Sequence, residues 1–209
     1  MPRLKLAVLF SGSGTTLENL FEKSASGAMN ADVAVALSSR ADAFGLERAK
    51  RRDVPGLTVA RKTFKSVDAF SEAVYTALEP YKVDLICHAG FMSMLRIPSA
   101  FENRVVNVHP SLLPSFGGKG FYGHHVHEAV LKHGCKITGC TVHFVDNEYD
   151  NGPIIAQRAV PVLDSDTADS LGERVQAAER ELYPEVIQWI ADGRIKIVNR
   201  VVHVCARES

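Results

Sequence analysis

The sequence has no excess charge of either sign and no long apolar run. It contains 24 Lys and Arg against 24 Asp and Glu in 209 residues, which gives a net charge of zero. A protein that grips a polynucleotide through many phosphates usually has a basic excess, so this balance argues for small-molecule partners and against nucleic acid. No apolar run approaches the length of a membrane span, and the N-terminus lacks the apolar stretch of a signal peptide. We therefore expect a cytoplasmic protein without a membrane segment.

Paired cysteines and familiar nucleophile motifs are also missing. The four cysteines form no CxxC pair: Cys87, Cys135, Cys140 and Cys205. Buried, reduced thiols are the simplest interpretation for such a chain. No G-x-S-x-G motif occurs, and the sequence places no cysteine in an obvious electropositive pocket. If the protein transfers an acyl group, its substrate must therefore supply the nucleophile.

The histidines do not follow the spacing of a metal site. His127-Glu128 begins like H-E-x-x-H, but Leu131 stands where the second histidine is required. We therefore predict no metal, and we expect His124, His125 and His127 to be solvated or packed under a loop.

In the first half of the chain, apolar runs alternate with segments of helical period. The predicted strands are residues 4–10, 33–37, 57–60, 83–88 and 104–108, and the predicted helices are 15–23, 41–52 and 67–78. This alternation predicts an α/β, Rossmann-like fold with a mostly parallel twisted sheet and helices on both faces.

The second half has a different pattern, which predicts an antiparallel C-terminal portion. A glycine-rich stretch at 115–123 precedes a short helix at 127–132 and strands at 137–145 and 154–161. A long helix follows at 167–192, interrupted at Tyr183-Pro184, and a hairpin at 195–205 is centred on Asn199-Arg200. No repeat or linker separates these segments, so we predict one domain.

A glycine turn, SGSGTTL at residues 11–17, joins the first strand to the first helix. Glycines let the backbone approach an anion, and the start of a helix offers free N–H groups and a favourable dipole. Leu17 occupies the third glycine position of G-x-G-x-x-G, so a single phosphate fits better than a dinucleotide. The alternative is a tight turn with a threonine cap. If the turn does hold phosphate, Gly14→Val should weaken substrate binding and leave the fold intact.

The segment AGFMSML, residues 89–95, follows the fourth strand. A glycine followed by soft apolar side chains suits the wall of a pocket for a flat heterocycle. The alternative is a helix start that buries Met92 and Leu95.

Asn107 and His109 alternate at the end of the fifth strand, so their side chains project to the same face. Pro110 ends the strand directly after them. An amide donor beside an imidazolium suits a developing oxyanion, and a satisfied polar pair at a sheet edge is the alternative.

The polar loop VDNEYDNGP, residues 145–153, lies between two apolar strands. A carboxylate in this loop could reach His109, raise the pKa of the imidazole and keep it cationic near neutral pH. The alternative is a plain Asp/Asn/Gly turn. His143, in the middle of a strand, is expected in the core or behind the site.

Together these segments resemble the folate-dependent formyltransferases, specifically those that act on phosphoribosylglycinamide. The resemblance is carried by LFSGSGTTL, ADAFGLERA, AGFMSML, VNVHPSLLPSF, ITGCTVHFVDNEYDNGPIIAQRAVPV and ERVQAAERELYP, and it runs to about Gly193. It implies formyl transfer from 10-formyltetrahydrofolate, a cosubstrate, to the amine of glycinamide ribonucleotide in purine (IMP) synthesis. It also implies one formyltransferase domain over 1–209, with a phosphate-binding half at about 1–104 and a folate and catalytic half at about 105–209.

The resemblance also implies a role for individual residues. The substrate phosphate would be bound by Gly14, Thr15 and Thr16. The ribose and glycinamide would lie near Gln176 and Glu179. The pocket for the folate pterin would be lined by Met92, Ser93, Met94, Leu95 and Asn107. The catalytic residues would be Asn107, His109 and Asp150, with Thr141 beside them.

The chain departs from the family at two positions that often carry basic residues. Ser93 stands where an arginine is common, and Val67 stands where a basic residue often meets the folate glutamate tail. We expect Lys65 to substitute for that basic residue. A 10-formyltetrahydrofolate hydrolase, which shares the Asn, His and Asp, is one alternative function. The other is a non-catalytic nucleotide-binding module, which would need only the glycine turn.

Overall fold

The computed structural model describes residues 2–206. The chain divides into two compact units, Met1–Val106 and Asn107–Ser209. No helix within residues 2–206 is both long enough and apolar enough to cross a membrane.

A seven-stranded sheet has the order β3-β2-β1-β4-β5-β6-β7. Its strands are β1 Leu4–Phe10, β2 Ala31–Ser38, β3 Gly56–Thr58, β4 Leu85–His88, β5 Val105–His109, β6 Ile137–Phe144 and β7 Ile154–Pro161. β1 pairs parallel with β2 and β4, and β2 pairs parallel with β3. β6 and β7 are antiparallel, as are β8 (Ile195–Val198) and β9 (Val201–Val204) of a separate hairpin. The predicted α/β fold with an antiparallel C-terminal portion is confirmed.

The first unit contains three α-helices: α1 Thr15–Ala25, α2 Gly45–Arg51 and α3 Val67–Leu78. Five consecutive residues of β1, from Leu6 to Phe10, are fully buried, which explains the continuous apolar run. The predicted start of α2 at residue 41 is wrong. The Arg40 and Asp42 side chains bond each other before the helix, and the Gly45 N–H donates to the Gly12 carbonyl, 3.2 Å away.

The second unit contains α4 (His124–Lys132) and α5 (Ala168–Ala191). α5 begins with a capping box in which Thr167 and Ser170 bond each other's backbone. The predicted interruption at Tyr183-Pro184 is wrong, because α5 continues through Pro184. Proline has no N–H and removes one helical hydrogen bond, but Tyr183, Pro184 and Ile187 are all buried. Their packing holds the helix together across the missing bond.

Candidate active site

The end of β5 presents two polar side chains in an apolar strand. Asn107 is half-buried and His109 is only 4% exposed. Val106, before them, and Val108, between them, are buried. Alternation along the strand projects Asn107 and His109 to the same face, as the sequence predicts.

Asp150, in the loop after β6, lies beside His109. Its Oδ2 is 3.6 Å from Nδ1 of His109 and accepts a hydrogen bond from the Gly118 N–H at 2.9 Å. The other imidazole nitrogen, Nε2, lies 2.8 Å from the Phe116 carbonyl oxygen. Both nitrogens of His109 therefore face oxygen atoms: the Phe116 carbonyl lies within hydrogen-bond distance, and the Asp150 carboxylate lies slightly beyond it.

Burial has the largest effect on the protonation of His109. It lowers the pKa of His109, while the Asp150 charge and the Phe116 carbonyl oppose it without reversing it. The expectation that the carboxylate keeps the imidazole cationic near neutral pH is therefore wrong. The carboxylate acts in the predicted direction, but desolvation of the ring outweighs it.

Asp150 itself is held as a carboxylate. Burial opposes its ionisation, but the nearby His143 and His109 rings and the Gly118 amide outweigh it, so the pKa of Asp150 lies below its usual value. The Oδ1 atom is 3.7 Å from Nε2 of His143. Asp150 thus brings a negative charge to a pocket with two imidazoles.

His143 fixes the orientation of Asn107. Its Nδ1 lies 2.7 Å from the Phe144 carbonyl oxygen, which can only accept, so Nδ1 carries the proton. Its Nε2 lies 3.1 Å from the amide nitrogen of Asn107. His143 is 1% exposed, as expected for a residue behind the site.

Thr141 braces the segment that follows His109. Its Oγ1 donates to the Ser111 carbonyl at 2.6 Å and accepts from the Leu113 N–H at 3.0 Å. The Gln157 amide also donates to this oxygen, at 3.0 Å. These three bonds use the hydroxyl fully, so Thr141 shapes the site rather than offering a group to substrate.

The glycine turn of the first unit offers backbone groups. Gly14 is the N-cap of α1, in a left-handed conformation, and no side chain caps the helix within residues 2–206. The Thr15 side chain is exposed and that of Thr16 is half-buried. The N–H groups of the first turn are therefore placed to bind an anion, which favours the phosphate hypothesis over a threonine cap.

Gly14 has a structural role that the sequence did not reveal. A Cβ at this position would lie 2.6 Å from the Cα of Gly45, at a φ of +71°. The expectation that Gly14→Val leaves the fold intact is therefore wrong. At Gly12, by contrast, an added Cβ would meet nothing within 4 Å.

Arg48 supports the same turn and was not singled out from the sequence. Its Nε donates to the Ser13 carbonyl at 2.9 Å, and its Nη1 is 3.4 Å from Oε2 of Glu18. The only signal was its position in ADAFGLERA, which gives no contact by itself.

The segment after β4 is a loop, so the alternative of a helix start there is wrong. Met92 is 55% exposed, Ser93 and Met94 are half-buried, and Leu95 is buried. The Met92 N–H donates to Oγ of Ser11 at 2.9 Å. Ser11 thus ties this loop to the start of the glycine turn.

Gln176 and Glu179 lie three residues apart on α5, which places them on neighbouring positions of one face. Gln176 is exposed and Glu179 is half-buried. Desolvation raises the pKa of Glu179 to about 7, against an opposing effect of Arg180. Glu179 therefore titrates in the physiological range.

Within residues 2–206, no group of three or more His, Cys, Asp or Glu side chains could hold a metal ion. His124 and His125 are exposed, but His127 is 5% exposed and packs beside Gly172, so it belongs to the core. Of the thiols, Cys87 and Cys140 are buried as expected, Cys135 is half-buried, and Cys205 is exposed, where burial was expected.

Comparisons with known proteins agree on one family. The formyl transferase family pattern matches residues 4–187. Phosphoribosylglycinamide formyltransferase of Escherichia coli K12 is 37% identical over 93% of the chain and 90% of its own length. A trifunctional purine biosynthetic protein of Gallus gallus is 41% identical over 93% of the chain, which spans 19% of that protein.

A solved structure gives the same result. Glycinamide ribonucleotide transformylase 1 from Symbiobacterium toebii superposes with a TM-score of 0.91 at 44% identity, covering 98% of this chain and 95% of that one. Sequence pattern, relatives and fold point to one conclusion. The chain belongs to the formyl transferase family.

Proposed function

We propose that this protein transfers the formyl group of 10-formyltetrahydrofolate to the amine of glycinamide ribonucleotide in purine (IMP) biosynthesis. The observation that carries the proposal is the polar cluster at the end of β5, where Asp150 lies near His109 and His143, and His143 contacts Asn107. Formyl transfer needs donors for a developing oxyanion and a route for one proton, and this cluster has both kinds of group. The relatives from Escherichia coli and Symbiobacterium toebii are named as a phosphoribosylglycinamide formyltransferase and a glycinamide ribonucleotide transformylase.

The reaction is a direct attack of the substrate amine on the formyl carbon. A new C–N bond forms, the formyl oxygen gains negative charge, and the bond from carbon to N10 of the folate then breaks. One proton leaves the amine and one reaches N10, so no external oxidant or reductant is required. The enzyme accelerates the reaction by stabilising the charged oxygen more than the neutral carbonyl.

Asn107 and His109 are the donors to that oxygen. One amide N–H of Asn107 is held by His143, which leaves the other for the substrate. The Nε2–H of His109 is held by the Phe116 carbonyl, so the formyl oxygen must replace this carbonyl as its acceptor. Asp150 then stabilises the imidazolium through Nδ1 and assists proton transfer from the amine towards N10.

Binding is assigned to further residues. In the phosphate-binding half, about 1–104, the turn with Gly14, Thr15 and Thr16 holds the phosphate through backbone N–H groups. In the catalytic half, about 105–209, Gln176 and Glu179 bind the ribose and glycinamide. The residues that line the pterin pocket are Met92, Ser93, Met94, Leu95 and Asn107. Residues 1–209 thus act as one formyltransferase domain.

One assay tests the function. Purified protein is supplied with 10-formyltetrahydrofolate, with and without glycinamide ribonucleotide, and both deformylated folate and formylated amine are quantified. We expect equal amounts of the two products, and only when the amine is present. Folate turnover without the amine would favour the hydrolase, and no turnover in either mixture would refute both enzymatic functions.

Direct transfer predicts no covalent enzyme intermediate. Cys87 and Cys140 are buried, and burial raises the pKa of the Cys140 thiol to about 12. Ser111 is also buried, and its hydroxyl donates to the Ser115 carbonyl at 2.6 Å. Mass spectrometry after incubation with the folate alone should therefore detect no formyl group on the protein. A stable mass increase of about 28 Da, the value for one formyl group that replaces a hydrogen, would contradict this mechanism.

A further inference from the structure

The loop that carries Asp150 is not packed on all sides. An open cleft of about 340 Å³ lies between it and the C-terminal hairpin, with Asp150, Gly152, Ile154, Arg200 and Val202 among its walls. An open cleft provides few packing contacts, so polar interactions contribute more to holding the loop on this side.

Arg200 forms such a polar interaction, a hydrogen bond to Asn151 at the edge of this cleft. Its Nη2 donates to the backbone carbonyl of Asn151 and lies 3.2 Å from the Asn151 side-chain oxygen. The Asn151 amide in turn donates to Oδ2 of Asp146 at 3.0 Å, and Oδ1 of Asp146 accepts from the Glu148 N–H at 2.9 Å. The chain of bonds therefore restrains the backbone on both sides of Asp150.

The backbone at Asp150 needs this restraint. Asp150 has a φ of +51°, a left-handed backbone conformation that residues other than glycine adopt uncommonly. Such a conformation persists only when its surroundings hold it, and Asn151 is the next residue along the chain.

Arg200 is itself held in place by the hairpin. It occupies the two-residue turn between β8 and β9, next to the terminal pair Val198 and Val201. At the other end, Arg194 and Cys205 exchange two bonds, from the Cys205 N–H at 2.8 Å and from the Arg194 Nε at 2.7 Å. The turn is therefore presented by a closed ladder rather than by a loose tail.

We propose that Arg200 is a positioning residue that holds the Asp150 carboxylate beside His109 through Asn151. The family pattern ends at residue 187, so this contact comes from a part of the chain outside the matched region. The proposal rests on the proposed function only for its effect on turnover, because the geometry it describes is a property of the protein alone.

The test compares Arg200→Ala with Lys196→Ala in the full chain. Lys196 is an exposed cation on the same hairpin, so its removal changes the net charge equally without touching the loop. We expect kcat to fall about tenfold for Arg200→Ala, because small displacements of a catalytic group have large effects on rate. Lys196→Ala should stay within about twofold of the wild type. Arg200→Lys, which keeps the charge, should give an intermediate rate, and circular dichroism of all three variants shows whether a loss reflects misfolding.

The pKa of His109, followed by NMR titration, separates positioning from loss of charge. Removing a nearby cation would by itself raise the pKa of an imidazole, whereas withdrawing the Asp150 carboxylate would lower it. The groups that act on His109 are Asp150, His143, His127 and the Phe116 carbonyl. We therefore expect the pKa of His109 to fall in Arg200→Ala, and millimolar methylguanidinium to restore part of both the pKa and kcat.

Two outcomes would overturn the proposal. One is a pKa of His109 that is unchanged or raised in Arg200→Ala, and the other is equal kinetic losses in the Arg200 and Lys196 variants. If the wild type shows no formyl transfer, the proposed function fails, but the titration still tests the positioning of Asp150.

Discussion

The glycine turn before α1 and the polar cluster at the end of β5 prepare their groups for function in opposite ways. The turn offers backbone N–H groups, and the side chains around them are exposed or half-buried. The cluster offers side chains, and His109, His143 and Thr141 are almost completely buried with their polar atoms bonded. A backbone site depends on the path of the chain, whereas a side-chain site depends on the identity of each residue and of its partners.

This difference predicts unequal tolerance to mutation. A backbone donor survives most changes of its own side chain, so only a change that blocks approach or bends the turn should matter. A buried side-chain donor has no substitute, and its removal also leaves its partners unsatisfied. The following variants test the contrast from the largest expected effect to the smallest.

Asn107→Ala and His109→Ala should each lower kcat by about 10²–10³, because losing one donor to a developing oxyanion typically has that effect. Steady-state kinetics with both substrates gives the value. His125→Ala, which removes an exposed histidine, is the matched control and should retain its rate. A loss below tenfold in either variant would mean that the residue does not stabilise the oxyanion.

Asp150→Asn should lower kcat and also lower the pKa of His109, because the carboxylate is the main group that raises it. The limb of the pH–rate profile that depends on protonated His109 falls as pH rises through this pKa, so it should move to lower pH. NMR titration of His109 measures the shift directly. The His109 and Asp150 double mutant should be little worse than either single mutant, since the residues act as a unit. Additive losses would argue against a shared role.

Gly12→Val should raise KM for the ribonucleotide about tenfold, since the lost charge-assisted bonds amount to roughly 1–3 kcal/mol. A side chain at Gly12 meets nothing within 4 Å, so the turn itself should keep its shape. KM for the folate should not change, and circular dichroism should match the wild type. An unchanged KM for the ribonucleotide would show that this turn does not bind the phosphate.

Thr141→Val should destabilise the protein by about 1–3 kcal/mol, because the Leu113 N–H and the Gln157 amide lose their shared acceptor. Urea unfolding measures the change. Thr138→Val in the same strand is the control, since the Thr138 hydroxyl is buried and has no hydrogen-bond partner within residues 2–206. That variant should be neutral or more stable. Equal effects of the two substitutions would show that the bonds of Thr141 contribute nothing specific.

Thr15→Ala should have the smallest effect, with KM for the ribonucleotide within about twofold of the wild type, because the N–H group at this position remains. The Thr15 side chain is exposed, so stability should also be unchanged. A large rise in KM would show that the hydroxyl, not the backbone, binds the phosphate, and the contrast between the two regions would fail.

The sequence by itself determined the order of the elements. β1, α3 and β7 occupy the predicted residues, because each is bounded by strong local signals such as the Gly12–Gly14 turn or Ser66 at the start of α3. It also placed Asn107 and His109 on one face, since alternation along a strand is a local property. The family resemblance, carried by the joint order of several motifs, was likewise available from the sequence.

Only the tertiary structure decided how distant residues act on one another. α5 continues through Pro184 because burial compensates for the missing bond, which no local pattern records. The pKa of His109 falls because burial outweighs Asp150, and that balance depends on how completely the ring is desolvated. Gly14 is required by the approach of Gly45, and Asp150 is tied to Arg200, 50 residues further along the chain, through Asn151. Period and spacing are local quantities, whereas desolvation and close packing arise only once the chain has folded.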